Sequence, residues 1–228
     1  MMPVATSPRQ LALALDHAES LDRDDFLEGP SNASALALIE SWPDWPANVA
    51  ALVGPRGSGK SHLASIWAAQ AGARFLSARA LEIEALPAAF ATGALVVEDV
   101  ADKDFDERAL FHLLNLARQE HAFVLMTART APTSFGVQLP DLASRLRAVP
   151  AVSLQAPDDA LLRAVLVKLF ADRQLAVDES LVSFLLTRIE RSFAAAKAAV
   201  ETLDREALRR GRPVNRTLAA DLYREPGA

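Results

Sequence analysis

The segment Gly54-Pro55-Arg56-Gly57-Ser58-Gly59-Lys60-Ser61 fits G-x-x-x-x-G-K-[ST] with no mismatch. A loop of this composition turns its backbone N–H groups inward around an anion. Lys60 adds a point charge for the β- and γ-phosphates of a nucleotide, and the Ser61 hydroxyl is suited to Mg²⁺. The chemistry works only between a buried strand and a helix whose N-terminus faces the phosphates. The flanks supply both: Val49 to Val53 is a short apolar run, and Ser61 to Ala71 has a helical pattern. One motif therefore predicts a strand–loop–helix unit and a cleft at its junction.

The same alternation continues downstream. Arg74 to Ser77, Ala94 to Val97, Phe123 to Met126 and Ala151 to Leu154 read as further short strands, with helical segments between them. Asp106 to His121 puts Leu110, Leu113, Leu114 and Ala117 on one helical face. Uninterrupted apolar strands separated by helices indicate an α/β fold, a parallel sheet flanked by helices. Ahead of it, Ser31 or Asn32 is expected to cap a helix from Ala33 to Ser41, and Ser41-Trp42-Pro43-Asp44-Trp45-Pro46 is a turn. After Gln155 no strand signal is left. Helices are expected over Asp158–Arg173, Asp178–Arg188 and Phe193–Arg210, with a short one near the end. This divides the chain into a tail (1–20), a nucleotide-binding base (21–156) and an all-helical lid (157–228).

Composition narrows the function classes. The 228 residues include no cysteine, which removes disulfide frameworks and thiolate metal sites and fits a cytoplasmic setting. No run approaches the roughly 20 apolar residues that cross a bilayer, so no membrane partner is expected. A formal net charge of −5 makes the whole molecule a poor electrostatic partner for nucleic acid. The cluster Arg205, Arg209, Arg210, Arg212 and Arg216 has no interleaved aromatics for base stacking and reads as a solvated helix face.

A nucleotide site of this kind needs a carboxylate from a second strand to serve the metal. Ala94-Leu95-Val96-Val97-Glu98-Asp99 ends in two. If Asp99 serves the metal, the next position is Val100, which cannot orient an attacking water; if Glu98 does, Asp99 could. The first arrangement is preferred, and with it weak intrinsic hydrolysis.

A phosphate-loop sheet followed by an all-helical subdomain resembles an AAA+ module. Gly54 to Leu63 (GPRGSGKSHL), Leu139 to Leu146 (LPDLASRL), Phe184-Leu185-Leu186 and Leu203-Asp204-Arg205 resemble, in order, segments of the DnaA-related proteins, and among these the Hda-type inactivators of DnaA. The resemblance implies that Arg56 and His62 belong to the nucleotide site with the loop glycines, Ser58, Lys60 and Ser61, and that Phe26 and Leu27 cover the adenine. Arg145 falls on the family's trans-acting arginine, and Thr127 on the position that senses the γ-phosphate or the attacking water. The family's lid arginine is missing: its position falls on Ala194, with Arg191 and Lys197 within a helical turn as substitutes. Gln10, Leu11, Leu13 and Leu15 of Gln10-Leu11-Ala12-Leu13-Ala14-Leu15 resemble the peptide that docks on the DNA polymerase III sliding clamp. Implied with these are ADP or ATP with Mg²⁺ as cofactors, and DnaA and the clamp as partners at the replisome. DNA is met only indirectly, and homo-oligomers are allowed. The implied function is regulatory inactivation of DnaA by stimulating hydrolysis of its bound ATP. An autonomous ATPase or remodeller, and a non-catalytic adaptor, are the rivals.

Overall fold

The structure, a computed structural model, describes residues 21–100 and 105–223. Strands β1 (Val49–Val53), β2 (Arg74–Ser77), β3 (Ala94–Glu98), β4 (Phe123–Ala128) and β5 (Ala151–Ser153) form one sheet in the order β2-β3-β4-β1-β5. Every pairing is parallel. Around it lie helices α1 (Ala33–Glu40), α2 (Lys60–Ala71), α3 (Leu86–Ala89), α4 (Glu107–Gln119) and α5 (Pro140–Arg147). Four more follow: α6 (Asp159–Asp172), α7 (Glu179–Leu186), α8 (Phe193–Arg210) and α9 (Arg216–Leu222). The five expected strands and the lid helices are all present. Most bounds shift by one or two residues: α2 begins at Lys60, β3 reaches Glu98 and β4 reaches Ala128.

Period-two alternation explains why the central strands are apolar throughout. In β1, Ala51 and Val53 point into the core shared with α4 and α5. Ala50 and Leu52 point into the core shared with α1 and α2. β4 divides likewise, with Val124 and Met126 on one side and Leu125 on the other. Trp45 stacks on Trp67 with ring centroids 5.1 Å apart, closing the α1/α2 face. Helices α6 to α9 bury a core of their own around Leu166, Phe170, Leu185, Val200 and Leu203. Each of those four helices starts on a side-chain cap, from Asp158, Asp178, Ser192 and Asn215 in turn.

The cap expected at α1 is different. Asn32 occupies the cap position, but its side chain turns backward, accepting from Gly29 N and donating to Leu27 O. The Ser31 hydroxyl is buried without a partner among the described residues. Asn32 thus organises the Leu27–Pro30 approach instead of the helix end, since an amide can satisfy both a donor and an acceptor. The segment between β2 and β3, with its short helix α3, and helix α5 were not delineated from sequence. Both are short, and α5 starts on Pro140.

Candidate functional site

The loop after β1 and the start of α2 line a cleft of about 630 Å³ between the sheet and the lid helices. Its backbone needs glycine: Gly57 has φ +70° and Gly59, which caps α2, has φ +98°. The first helical bond runs from Leu63 N to Gly59 O, so the amides ahead of it have no helical acceptor. The Ser58 hydroxyl is buried with no partner among the described residues. Lys60 is buried too, and its ammonium donates to Gly54 O at 2.8 Å and Pro55 O at 2.7 Å. Burial holds the Lys60 pKa below its ordinary value; Asp99 opposes this, and Arg129 and Arg56 add to it. An anion in the cleft would relieve the desolvated charge. A cradle of unsatisfied donors around a cation fits nucleotide phosphates.

The strand ends around this loop place the two acidic residues differently. Glu98 pairs in register with Ser77 and stays within the sheet. Asp99 is the first residue beyond β3, adopts φ +54° and lines the cleft. Val100 follows, fully buried in the α4/α5 core, so the position next to the carboxylate is apolar. Ser61 and Asp99 are the groups that could hold Mg²⁺ beside a nucleotide, the phosphates supplying further oxygens.

Phe26, Leu27 and His62 line the same cleft. Phe26 meets the His62 ring edge-on at 5.2 Å, and the His62 Nε2 lies 3.0 Å from Asp22 O. This makes an apolar wall suited to a flat base. The lid supplies the facing wall. Val165, Lys168, Leu169 and Asp172 of α6 recur at i, i+3, i+4 and i+7, and Phe193, Ala194 and Lys197 come from the start of α8. Lid and loop are bonded directly, Phe193 N donating to Gly57 O at 2.9 Å. Lys168 ties α6 to the base by an ion pair with Asp25 at 2.7 Å. Its hydrogen bonds to Asp25 and, within α6, to Asp172 at 2.9 Å raise its pKa, Asp25 being the larger cause.

Among the described residues, four expected site residues do not line the cleft: Gly54 and Ser58 of the loop, Thr127, and Arg145, which was expected to act on another protein's nucleotide. Thr127 is 1% exposed and is not among the residues lining the cleft. Arg145 lies outside the cleft on α5, its guanidinium 5.1 Å from the centre of the Phe111 ring. Glu107 braces that helix by accepting from Leu139 N at 2.9 Å. Of the two candidate lid substitutes, Lys197 lines the cleft, whereas Arg191 pairs with Asp159 at the exposed start of α6. Arg129, Lys168 and Arg173 line the cleft and were missed from sequence. Arg129 was legible as a cation two residues past Thr127, and the α6 face as a helical stripe. The peptide Gln10, Leu11, Leu13, Leu15 lies outside the described residues.

No family model matches the chain, and no curated protein sequence matches it. Solved structures do. Domain III of the Thermotoga maritima replication initiation protein DnaA superposes with a TM-score of 0.74 at 17% identity, covering 89% of this chain and 95% of that one. AMPPCP-bound DnaA from Aquifex aeolicus gives 0.66 at 14% identity, over 82% of this chain and 69% of that one. The Thermotoga maritima RuvB Holliday junction branch migration motor gives 0.69 at 16% identity, over 89% of this chain and 70% of that one. The chain shares the fold of these proteins, a parallel five-stranded sheet flanked by helices with a helical C-terminal portion. Among the described residues no helix is long and apolar enough to cross a membrane.

Proposed function

We propose that this chain is a nucleotide-binding AAA+ regulator that inactivates the replication initiator DnaA. In this reading the cleft holds ADP or ATP with Mg²⁺, chiefly to stabilise the closed arrangement of base and lid. Lys60 and the loop amides hold the phosphates, Ser61 and Asp99 the metal, and Phe26 and Leu27 the base. The buried Val100 puts no water-orienting group at the position next to Asp99, which favours slow hydrolysis by the chain itself.

The observation that carries the reading is Arg145. It is absent from the chain's own cleft and sits on a helix braced by Glu107. A guanidinium held there is available to a nucleotide on another protein, where it can pair bidentately with phosphate oxygens and stabilise the leaving γ-phosphate. The DnaA and RuvB likenesses support the AAA+ frame of this proposal. Docking of Gln10, Leu11, Leu13 and Leu15 on the DNA-loaded clamp would deliver Arg145 to DnaA, so DNA is met only through partners.

Turnover by the isolated chain, measured across its own concentration, separates this from an autonomous ATPase. The proposal expects slow turnover with no rise at high protein concentration and no change on Arg145→Ala. Brisk, concentration-dependent turnover lost on Arg145→Ala would make the chain a self-assembling ATPase instead.

A further inference from the structure

The C-terminal end of β4 is where the two halves of the phosphate site are joined. On one side Leu52 pairs with Thr127 and Val53 with Ala128, and Gly54 N then donates to Ala128 O at 3.1 Å, fixing where the phosphate loop begins. On the other side Asp99 N donates to the Thr127 hydroxyl at 3.1 Å, and Val100 N donates to Thr127 O at 2.9 Å. Thr127 thus holds the amides of two consecutive residues, one through its side chain and one through its backbone.

The side-chain bond falls on a strained residue. Asp99 has φ +54°, in the left-handed region that an L residue with a Cβ adopts only at an energetic cost. That backbone turn takes the chain out of β3, leaving Glu98 in the ladder while Asp99 lines the cleft. A residue held in this region needs surroundings that over-determine it. Among the described residues the hydroxyl of Thr127, 1% exposed, is the one side-chain group bonded to the Asp99 amide. Valine has nearly the same shape as threonine and lacks this acceptor, so it isolates the bond from the packing.

We propose that Thr127 is a positioning residue. It acts on the nucleotide through Asp99, by fixing the backbone turn that aims this carboxylate at the metal, and not by reading the phosphate itself. The inference rests on the nucleotide-and-Mg²⁺ reading of the cleft.

The test is the affinity of a non-hydrolysable ATP analogue, titrated with Mg²⁺ and again with excess EDTA, for the full chain. Wild type, Thr127→Val, Thr127→Ser, Asp99→Asn and the Thr127→Val/Asp99→Asn double variant are compared, with thermal unfolding verifying that each is folded. The expected result is that Thr127→Val loses about tenfold of the Mg²⁺-dependent gain in affinity, the scale on which supporting groups affect a metal site. Its affinity in EDTA stays within about twofold of wild type. Thr127→Ser restores the gain, and the double variant is no worse than Asp99→Asn alone, as expected when one residue acts through the other. Equal losses for Thr127→Val with and without Mg²⁺ would overturn the proposal, as would an undiminished Mg²⁺ gain in Asp99→Asn or in Thr127→Val. Failure of the wild type to bind in either condition would instead sink the nucleotide reading, and this inference with it.

Discussion

Replacing Gly57 by alanine measures how firmly the lid is seated on the phosphate loop. A Cβ at Gly57 would lie 2.8 Å from Ser192 Cβ and 3.2 Å from Ala194 Cβ, at a backbone φ of +70°. Gly72, which ends α2 at φ +64°, has nothing within 4 Å of a built Cβ. Both substitutions incur the same left-handed backbone cost of roughly 1–2 kcal/mol. Both gain the same small benefit from a stiffer unfolded chain, so these two contributions cancel in the comparison. Gly57→Ala must also push the Ser192–Ala194 segment away, an overpacking cost of about 1–3 kcal/mol. The Phe193 N to Gly57 O bond is strained or broken as well, at a further 0.5–1.5 kcal/mol or so. Gly57→Ala is therefore expected to be less stable than Gly72→Ala by roughly 2–4 kcal/mol if the lid stays in place. If the lid instead swings away, the difference shrinks and fast hydrogen exchange appears at the Phe193 amide. Urea denaturation of the two variants, with exchange read at Phe193, separates these outcomes. Equal stabilities together with an unchanged, protected Phe193 amide would refute the description of the lid–loop contact.

Other expectations follow from the same cleft. Lys60→Ala should abolish nucleotide binding while leaving the protein folded, as read by calorimetry and circular dichroism. In wild type the depressed Lys60 pKa means that nucleotide affinity should fall, as pH rises, earlier than an ordinary lysine would allow. For the nucleotide-free protein the sign is opposite. The folded state binds fewer protons than the unfolded state between the two pKa values, so stability should rise with pH through that window, and Lys60→Met should flatten the rise. Arg129→Ala should weaken a triphosphate by about 10- to 100-fold, the value of a charge-assisted hydrogen bond. Arg191→Ala, which is not among the residues lining the cleft and pairs with Asp159, should leave that affinity unchanged; equal losses in an equilibrium binding assay would argue against the geometry.

The fold was legible where apolar periodicity is strong. The continuous runs of β1, β3 and β4 and the Leu110/Leu113/Leu114/Ala117 stripe of α4 each have one solution, because both faces of the sheet are buried. Short elements such as α3, with four residues, carry too few positions for a period to register. The phosphate loop was legible because its chemistry demands a contiguous pattern. The remainder of the cleft is assembled across the chain: Asp25 meets Lys168, and Gly57 meets Ser192 and Phe193. No local pattern encodes such pairings. Thr127 shows the limit of reading by position. Only the family resemblance singled it out, and no local pattern announces that its hydroxyl accepts from the Asp99 amide, a partner 28 residues away.

The most direct measurement of the central claim follows single-turnover hydrolysis of ATP pre-bound to DnaA, with sliding clamp loaded on DNA. Wild-type chain, Arg145→Ala and Gln10→Ala are added in parallel. The account predicts accelerated hydrolysis with wild type, and its loss with both variants even though Arg145→Ala still binds the clamp. An unchanged rate with wild-type chain bound to the clamp, or full acceleration by Arg145→Ala, would contradict it.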